Sequence, residues 1–102
     1  MDRVTISLSD LVRKAVSAYA TAGYNGAGQP SRLYYVENQQ DQVFSVVAPY
    51  DPRYKRADLV MMARIVEDVV IIDIDKTSKP LHDALKQAGV PETQIVAAWN
   101  QK

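Results

Sequence analysis

The sequence predicts an α+β domain in which an antiparallel β-sheet carries two helices on one face. Apolar residues recur at helical spacing near each end of the chain, four β-rich segments lie between them, and short polar turns join these segments in pairs. The order α-β-β-β-β-α favours a four-stranded, mainly antiparallel sheet of two hairpins, with an N-terminal and a C-terminal helix on one side. The length of one ordinary domain predicts that residues 1–102 form a single folding unit.

The first helix is predicted from apolar residues at spacings of three and four, which place them on one helical face. These residues are Leu8, Leu11, Val12, Ala15 and Tyr19. Ser7 or Ser9 can begin the helix, because a serine hydroxyl accepts a hydrogen bond from an unpaired N–H of the first turn. Glycines and a proline in residues 23–30 then predict a loop.

The four β-rich segments form two predicted hairpins, separated by a longer connection at residues 49–56. The first hairpin joins residues 31–36 to 42–48, and the second joins residues 59–66 to 69–74. Glu67 and Asp68 form the turn of the second hairpin. Apolar residues on both faces of its last strand indicate a central strand that is covered on both sides.

The second helix is predicted from an apolar stripe near the end of the chain. The stripe consists of Leu81, Ala84, Leu85 and Ala88. Thr77 or Ser78 is expected at the N-cap. Gly89 suits the left-handed position after the helix, since glycine has no Cβ to clash there. Residues 91–94 are expected to form a helical turn, and residues 95–99 to be extended or packed on the sheet.

Composition limits the functions that the chain can have. Twelve basic residues balance twelve acidic ones, which disfavours a nucleic-acid binder that uses its whole surface. The absence of cysteine excludes disulfides, thiol catalysis and cysteine zinc sites. His82 is the only histidine and is expected at the surface beside Asp83, so neither a transition metal nor another cofactor is predicted.

The hydrophobic segments of the chain bear on its localisation. The N-terminal residues show no apolar run of a signal peptide. No segment approaches the ~18 apolar residues that span a bilayer. We therefore expect a cytoplasmic protein with no membrane association.

Residues 69–77 match an apolar strand followed by D-x-D-x-T, the opening motif of haloacid dehalogenase-like phosphatases. In that chemistry Asp73 would attack phosphorus, Asp75 would handle the leaving-group proton, and a magnesium ion would shield the charge. The 25 residues after Thr77 leave no room for the later strands that supply the remaining acidic residues and lysine. We therefore favour a structural interpretation, in which Asp75 and Thr77 cap the second helix. An Asp-dependent phosphohydrolase is the most distant alternative.

A basic segment in the connection between the hairpins is the candidate nucleic-acid contact. Its residues are Arg53, Tyr54, Lys55 and Arg56. Cations can neutralise phosphates, and a tyrosine can stack on an unpaired base. Asp51 and Asp58 weaken the positive field, so a solvated loop is the favoured interpretation.

Several segments together resemble the XisI family, over roughly residues 9–100. The resemblance lies in residues 17–20 (SAYA), 33–35 (LYY), 43–46 (VFSV), 71–77 (IIDIDKT), 81–85 (LHDAL), 88–91 (AGVP) and 92–96 (ETQIV). The chain departs from the family pattern at four places. Lys76 and Pro80 replace glycines, Ala48-Pro49 replaces Gly-Trp, and Trp99-Asn100 replaces Phe-His.

The resemblance implies a function that composition alone does not. XisI proteins are named as controlling factors for excision of a DNA element from a nitrogen-fixation gene in heterocyst-forming cyanobacteria. The resemblance therefore implies a non-enzymatic regulatory factor, without catalytic residues, that acts on a protein partner similar to XisH, a companion with features of a nuclease fold. Nucleic-acid binding through residues 53–56 is the alternative. A homodimer is allowed as well, because an antiparallel sheet has edges to cover.

Overall fold

The computed structural model describes residues 7–21 and 33–100, in which two α-helices accompany a five-stranded sheet. The elements are α1 (Leu8–Thr21), β1 (Tyr34–Asn38), β2 (Val43–Asp51), β3 (Arg56–Val66), β4 (Val69–Asp75), α2 (Leu81–Ala88) and β5 (Ile95–Ala97). Single 3₁₀ turns at Glu92–Gln94 and Ala98–Asn100 flank β5. The predicted loop at 23–30 and the predicted beginning of the first strand at 31–32 lie outside the described residues.

The sheet is mixed, with the strands in chain order from β1 to β5. Neighbouring strands from β1 to β4 are antiparallel, whereas β5 runs parallel to β4. The α+β class is confirmed, but the prediction of four strands was wrong. The tail at residues 95–97 forms a fifth strand, and α2 lies in the long crossover that a parallel pair requires.

The prediction of only two hairpins was also wrong, because β2 and β3 form a third one. Pro49 seemed to end a strand, since proline has no N–H for a sheet hydrogen bond. In the structure the register shifts between Ala48 and Asp51, so this proline lies where the pairing is already irregular. The connection shrinks to residues 52–55, a turn closed by the Lys55 N–H, which donates to the Asp51 carbonyl at 2.6 Å.

The hydrophobic core lies between the helices and one face of the sheet. Each helix contributes fully buried residues, Val12 and Val16 from α1 and Leu81 and Leu85 from α2. The sheet contributes Phe44, Val46, Met61, Ala63, Ile65, Val70 and Ile72. Each large apolar side chain stabilises the fold by about 1.5–3 kcal/mol when it is removed from water. The two helices therefore occupy the same side of the sheet.

The helix ends follow the sequence in part. The Asp10 N–H donates to Ser7 Oγ at 3.1 Å, so Ser7 caps α1 as predicted. Helix α2 differs from the prediction, because Pro80 occupies its N-cap position and makes no side-chain cap. Gly89 has φ 114°, and the Val90 N–H donates to the Leu85 carbonyl at 3.0 Å. The last turn of α2 therefore ends at Gly89 in the left-handed backbone conformation, as predicted.

An ion pair that the sequence analysis missed holds α1 on the edge of the sheet. Arg13 donates from Nε and Nη2 to the two carboxylate oxygens of Glu37 in β1, both at 2.8 Å. The Tyr35 hydroxyl donates to Glu37 Oε1 at 2.6 Å. The hydrogen bond from Arg13, followed by that from Tyr35, lowers the pKa of Glu37 to about 2 from its ordinary value of 4.5. The Glu37 side chain is only 10% exposed, so this pair is better shielded from solvent than a surface salt bridge.

Replacement of Glu37 by glutamine is expected to lower the free energy of unfolding at pH 7 by about 1–3 kcal/mol. Because the folded-state pKa is depressed, the stabilisation by the carboxylate is present above pH 4.5 and is lost as the pH falls towards 2. The difference between wild type and Glu37→Gln should therefore shrink over that range. Urea unfolding of both proteins at several pH values measures this difference in the free energy of unfolding.

The control for this prediction is Glu92→Gln, since the Glu92 side chain is 65% exposed and lies 3.5 Å from Lys86. This variant should unfold like the wild type at every pH. The prediction would be contradicted if the two substitutions lowered the free energy of unfolding equally. It would also be contradicted if the loss in Glu37→Gln did not change with pH.

Candidate functional site: the open face of the sheet

The sheet face opposite the helices is largely apolar, and neither α1 nor α2 packs on it. The strand registers place its residues in four rows across the sheet. The rows are Tyr34–Val47–Leu59, Val36–Ser45–Met62–Ile74, Asn38–Val43–Arg64–Ile71–Val96, and Val66–Val69. We call these residues, together with Asp73 beside Arg64, the open face. An antiparallel sheet with one solvated face usually alternates apolar and polar residues, and this sheet does not.

Several large side chains of the open face reach well into solvent. Val36 is 49% exposed, Tyr34 45% and Val66 42%. Ser45 is buried, and its hydroxyl donates to the Val36 carbonyl at 2.9 Å, so this polar group is already satisfied. Apolar surface of this kind is a candidate interaction site.

A single ion pair lies within the open face. Arg64 donates from Nε to Asp73 Oδ2 at 2.6 Å and from Nη2 to Oδ1 at 3.1 Å. This bidentate contact raises the pKa of the Arg64 guanidinium. The two charges therefore neutralise one another, and the centre of the face carries no net charge.

Asp73 and Asp75 do not converge on one site. The pairing of β3 with β4 shifts between Met62 and Ala63, so that Asp73 pairs with Arg64 on the open face while Asp75 lies opposite Met61, on the core side. A phosphatase of the D-x-D type needs both carboxylates around one phosphate and one metal ion. This geometry does not provide that arrangement.

Asp75 instead organises the turn that begins α2. Its Oδ2 accepts a hydrogen bond from the Leu81 N–H at 2.7 Å, and its Oδ1 accepts one from the Thr77 N–H at 3.0 Å. The Thr77 hydroxyl lies 2.6 Å from Asp75 Oδ1 and 2.7 Å from the Lys79 carbonyl, and its single proton can be donated to either. The carboxylate thus caps the helix from outside the N-cap position.

Other potential sites hold no metal-ligand set. Within residues 7–21 and 33–100, no group of three histidine, aspartate or glutamate side chains could hold a metal ion. His82 lies on the surface of α2, 3.6 Å from Asp83 and 3.9 Å from Glu92, as expected for a solvated histidine. No helix in the same residues is long and apolar enough to cross a bilayer.

The basic segment lies at the tip of the hairpin between β2 and β3. The side chains of Arg53, Tyr54, Lys55 and Arg56 are all exposed. Arg53 forms a bidentate pair with Asp51, at 2.8 and 3.1 Å, and its hydrogen bonds lower the pKa of the Asp51 carboxyl. Arg56 lies 2.9 Å from Asp58, which Lys76 approaches to 3.7 Å. The tip therefore carries fewer uncompensated cations than the sequence suggests.

Sequence reasoning missed the open face. The apolar residues on both sides of β4 predicted a central strand that is covered on both faces. The central position is confirmed, since β4 lies between β3 and β5. Its second side carries Ile71 and Ile74, and neither α1 nor α2 packs over it. The signal for an interaction surface was therefore present in the sequence, but the same pattern also fits a buried strand.

Comparison with known proteins shows the fold. No protein-family model matches the sequence, and no curated protein matches it. Among solved structures, the fdxN element excision controlling factor XisI from Anabaena variabilis ATCC 29413 superposes with a TM-score of 0.71, over 91% of this chain and 89% of that chain, at 15% identity. A XisI-like protein from the same organism gives a TM-score of 0.72, over 86% and 80% of the two chains, at 17% identity.

The class of protein is thus a small α+β domain with two helices on one face of a mixed sheet. The chain has the XisI-like fold, as the resemblance of its sequence predicted. Two of the departures from the family pattern, Lys76 and Pro80, fit this fold without strain. Lys76 is not among the described residues with positive φ, so no glycine is required there, and Pro80 has the ordinary proline φ of −58°.

Replacement of Asp75 by alanine should lower the free energy of unfolding by about 1–2 kcal/mol, because the Leu81 and Thr77 amides lose their acceptor. Replacement of Asp73 should cost less, about 0–1 kcal/mol, since Arg64 in that pair is 39% exposed. Urea unfolding of Asp75→Ala and Asp73→Ala compares two aspartates on one strand. A larger cost for Asp73→Ala would contradict the structural assignment.

Proposed function

We propose that the protein is a non-enzymatic regulatory factor that controls a DNA-processing partner by binding it through the open face. The observation that carries this proposal is the apolar surface of the sheet opposite the helices, with Val36 and Val66 strongly exposed. The XisI-like fold supports it, because one structural neighbour is named as an excision controlling factor. The balanced charge supports contact with a protein more than with nucleic acid.

The open face suits a protein partner on physical grounds. Burial of apolar surface contributes roughly 25 cal/mol per Å², so a patch that spans several strands can supply substantial binding energy. The Arg64–Asp73 pair is internally neutral, and a partner therefore does not need a matching charge at that point. The exposed strand residues are held by the sheet and lose little freedom on binding.

The partner is proposed from the family resemblance. It would be a protein similar to XisH, with features of a nuclease fold, and both proteins would act in the cytoplasm. Excision of a DNA element would then be regulated by contact between the two proteins. The chain itself would contribute no catalytic residue, which agrees with the separation of Asp73 from Asp75.

Direct binding of nucleic acid through the hairpin tip is the second candidate. The exposure of Arg53, Tyr54, Lys55 and Arg56 favours it. The pairing of Arg53 with Asp51 and of Arg56 with Asp58 weakens it, because each phosphate contact would compete with an existing carboxylate. We therefore place it second.

A pull-down from the source organism, with and without nuclease treatment, tests both candidates. The bait is the tagged wild type, a Val36→Glu/Val66→Glu variant of the open face, or an Arg53→Ala/Lys55→Ala/Arg56→Ala variant of the tip. All substituted side chains are exposed, so the fold should persist, and thermal unfolding checks it. We expect a specific protein that resists nuclease, is retained by the tip variant and is lost from the open-face variant.

Other outcomes would change the function assigned. Recovery of nucleic acid alone, in amounts that fall with added salt and with the tip substitutions, would favour the second candidate. Recovery of no specific partner would contradict the proposed regulation. A second copy of this chain is a third occupant of the open face, and light scattering would show it as a doubled mass that the open-face variant halves.

A further inference from the structure

Helices α1 and α2 pack against one another and border a groove at the protein surface. They run antiparallel, so that Leu11 of α1 approaches Gly89, with Leu11 Cδ1 3.9 Å from the position of a Cβ at that glycine. At the opposite end the Tyr19 hydroxyl donates to the Lys79 carbonyl at 2.8 Å. These two contacts mark the two ends of the helix pair.

Small side chains occupy the space between these contacts. Ala15 and Ala18 of α1 face Ala84 and Ala88 of α2 across a half-open cleft of about 430 Å³. Because alanine side chains are short, a groove remains along the solvent side of the helix pair even where the two helices lie close together.

The rim of the cleft carries positive charge. Lys14 lies on the α1 side and Lys79 precedes α2, and neither ammonium group has an ion-pair partner within residues 7–21 and 33–100. The carboxylate of Asp75, which acts on Tyr19 electrostatically, already accepts hydrogen bonds from the Leu81 and Thr77 amides. The lysines thus remain available for an anion from outside the chain.

We propose that this cleft binds a small organic acid, with its apolar body between the alanines and its carboxylate near Lys14 and Lys79. The volume lies within the ~300–1,000 Å³ range of small-molecule sites. The four alanines and the Tyr19 ring offer apolar surface to the body of the ligand, and the two cations favour a negative head group. The site lies on the opposite side of the sheet from the open face, so it does not depend on the proposed regulation.

Titration of the full chain with octanoate, followed by amide NMR shifts, tests the site. We expect shifts at Ala15, Ala18, Ala84 and Ala88, and binding about tenfold weaker for 1-octanol, which has a similar apolar body and no charge. Lys14→Gln/Lys79→Gln should weaken octanoate binding by a similar factor. Ala18→Leu should abolish binding by filling the cleft, and it should fold because Ala18 is exposed.

The matched control is Lys55→Gln/Lys86→Gln, which removes the same charge away from the cleft and should leave octanoate affinity unchanged. Absence of shifts in the wild type up to the micelle limit of octanoate would overturn the proposal. Shifts confined to the open face would also overturn it. Equal binding of octanol and octanoate, or equal effects of the two lysine pairs, would refute the anionic class of ligand.

Discussion

The carboxylate of Asp75 joins the end of β4 to the beginning of α2, and this contact helps to place α2 on the covered face of the sheet. Because Asp75 ends β4 on the core side, it can reach the Leu81 N–H at 2.7 Å and direct α2 across the sheet. Leu81 and Leu85 are then fully buried against the strands. Helix α1 is held on the same side by Arg13 and Glu37. Both helices thereby lie on one face, and neither packs on the other.

The register shift beside Met62 determines how the acidic motif is used. Without the shift, alternation along the strand would place Asp73 and Asp75 on the same face. With it, one carboxylate pairs with Arg64 on the open face, and the other caps a helix. In this segment, which matches a phosphatase motif, Asp75 therefore stabilises α2, and Asp73 neutralises the charge of Arg64 on the open face. The two aspartates of this motif therefore do not form one site.

Local features were predictable from the sequence, and features that depend on distant residues were not. Helical periodicity located α1 and α2, and Gly89 marked the end of α2 because the left-handed position favours glycine. The contact of Arg13 with Glu37 joins residues 24 positions apart, and nothing local encodes it. Strand β5 has only three residues, too few for a clear pattern, and its pairing with Val70 depends on the crossover. At the candidate site, the basic tip and its neighbouring carboxylates Asp51 and Asp58 were visible in the sequence. The bare face of the sheet was not, because the pattern of β4 also fits a strand that is covered on both sides.

Hydroxyl-radical footprinting of the protein, alone and bound to its recovered partner, most directly tests the claim that the open face is the contact surface. Met62 and Tyr34 report on that face, Tyr54 reports on the hairpin tip, and Met61 is a fully buried internal reference. The account predicts that the partner protects Met62 and Tyr34 from oxidation and leaves Tyr54 and Met61 unchanged. Protection of Tyr54 with undiminished oxidation of Met62 and Tyr34 would contradict it and move the contact to the tip.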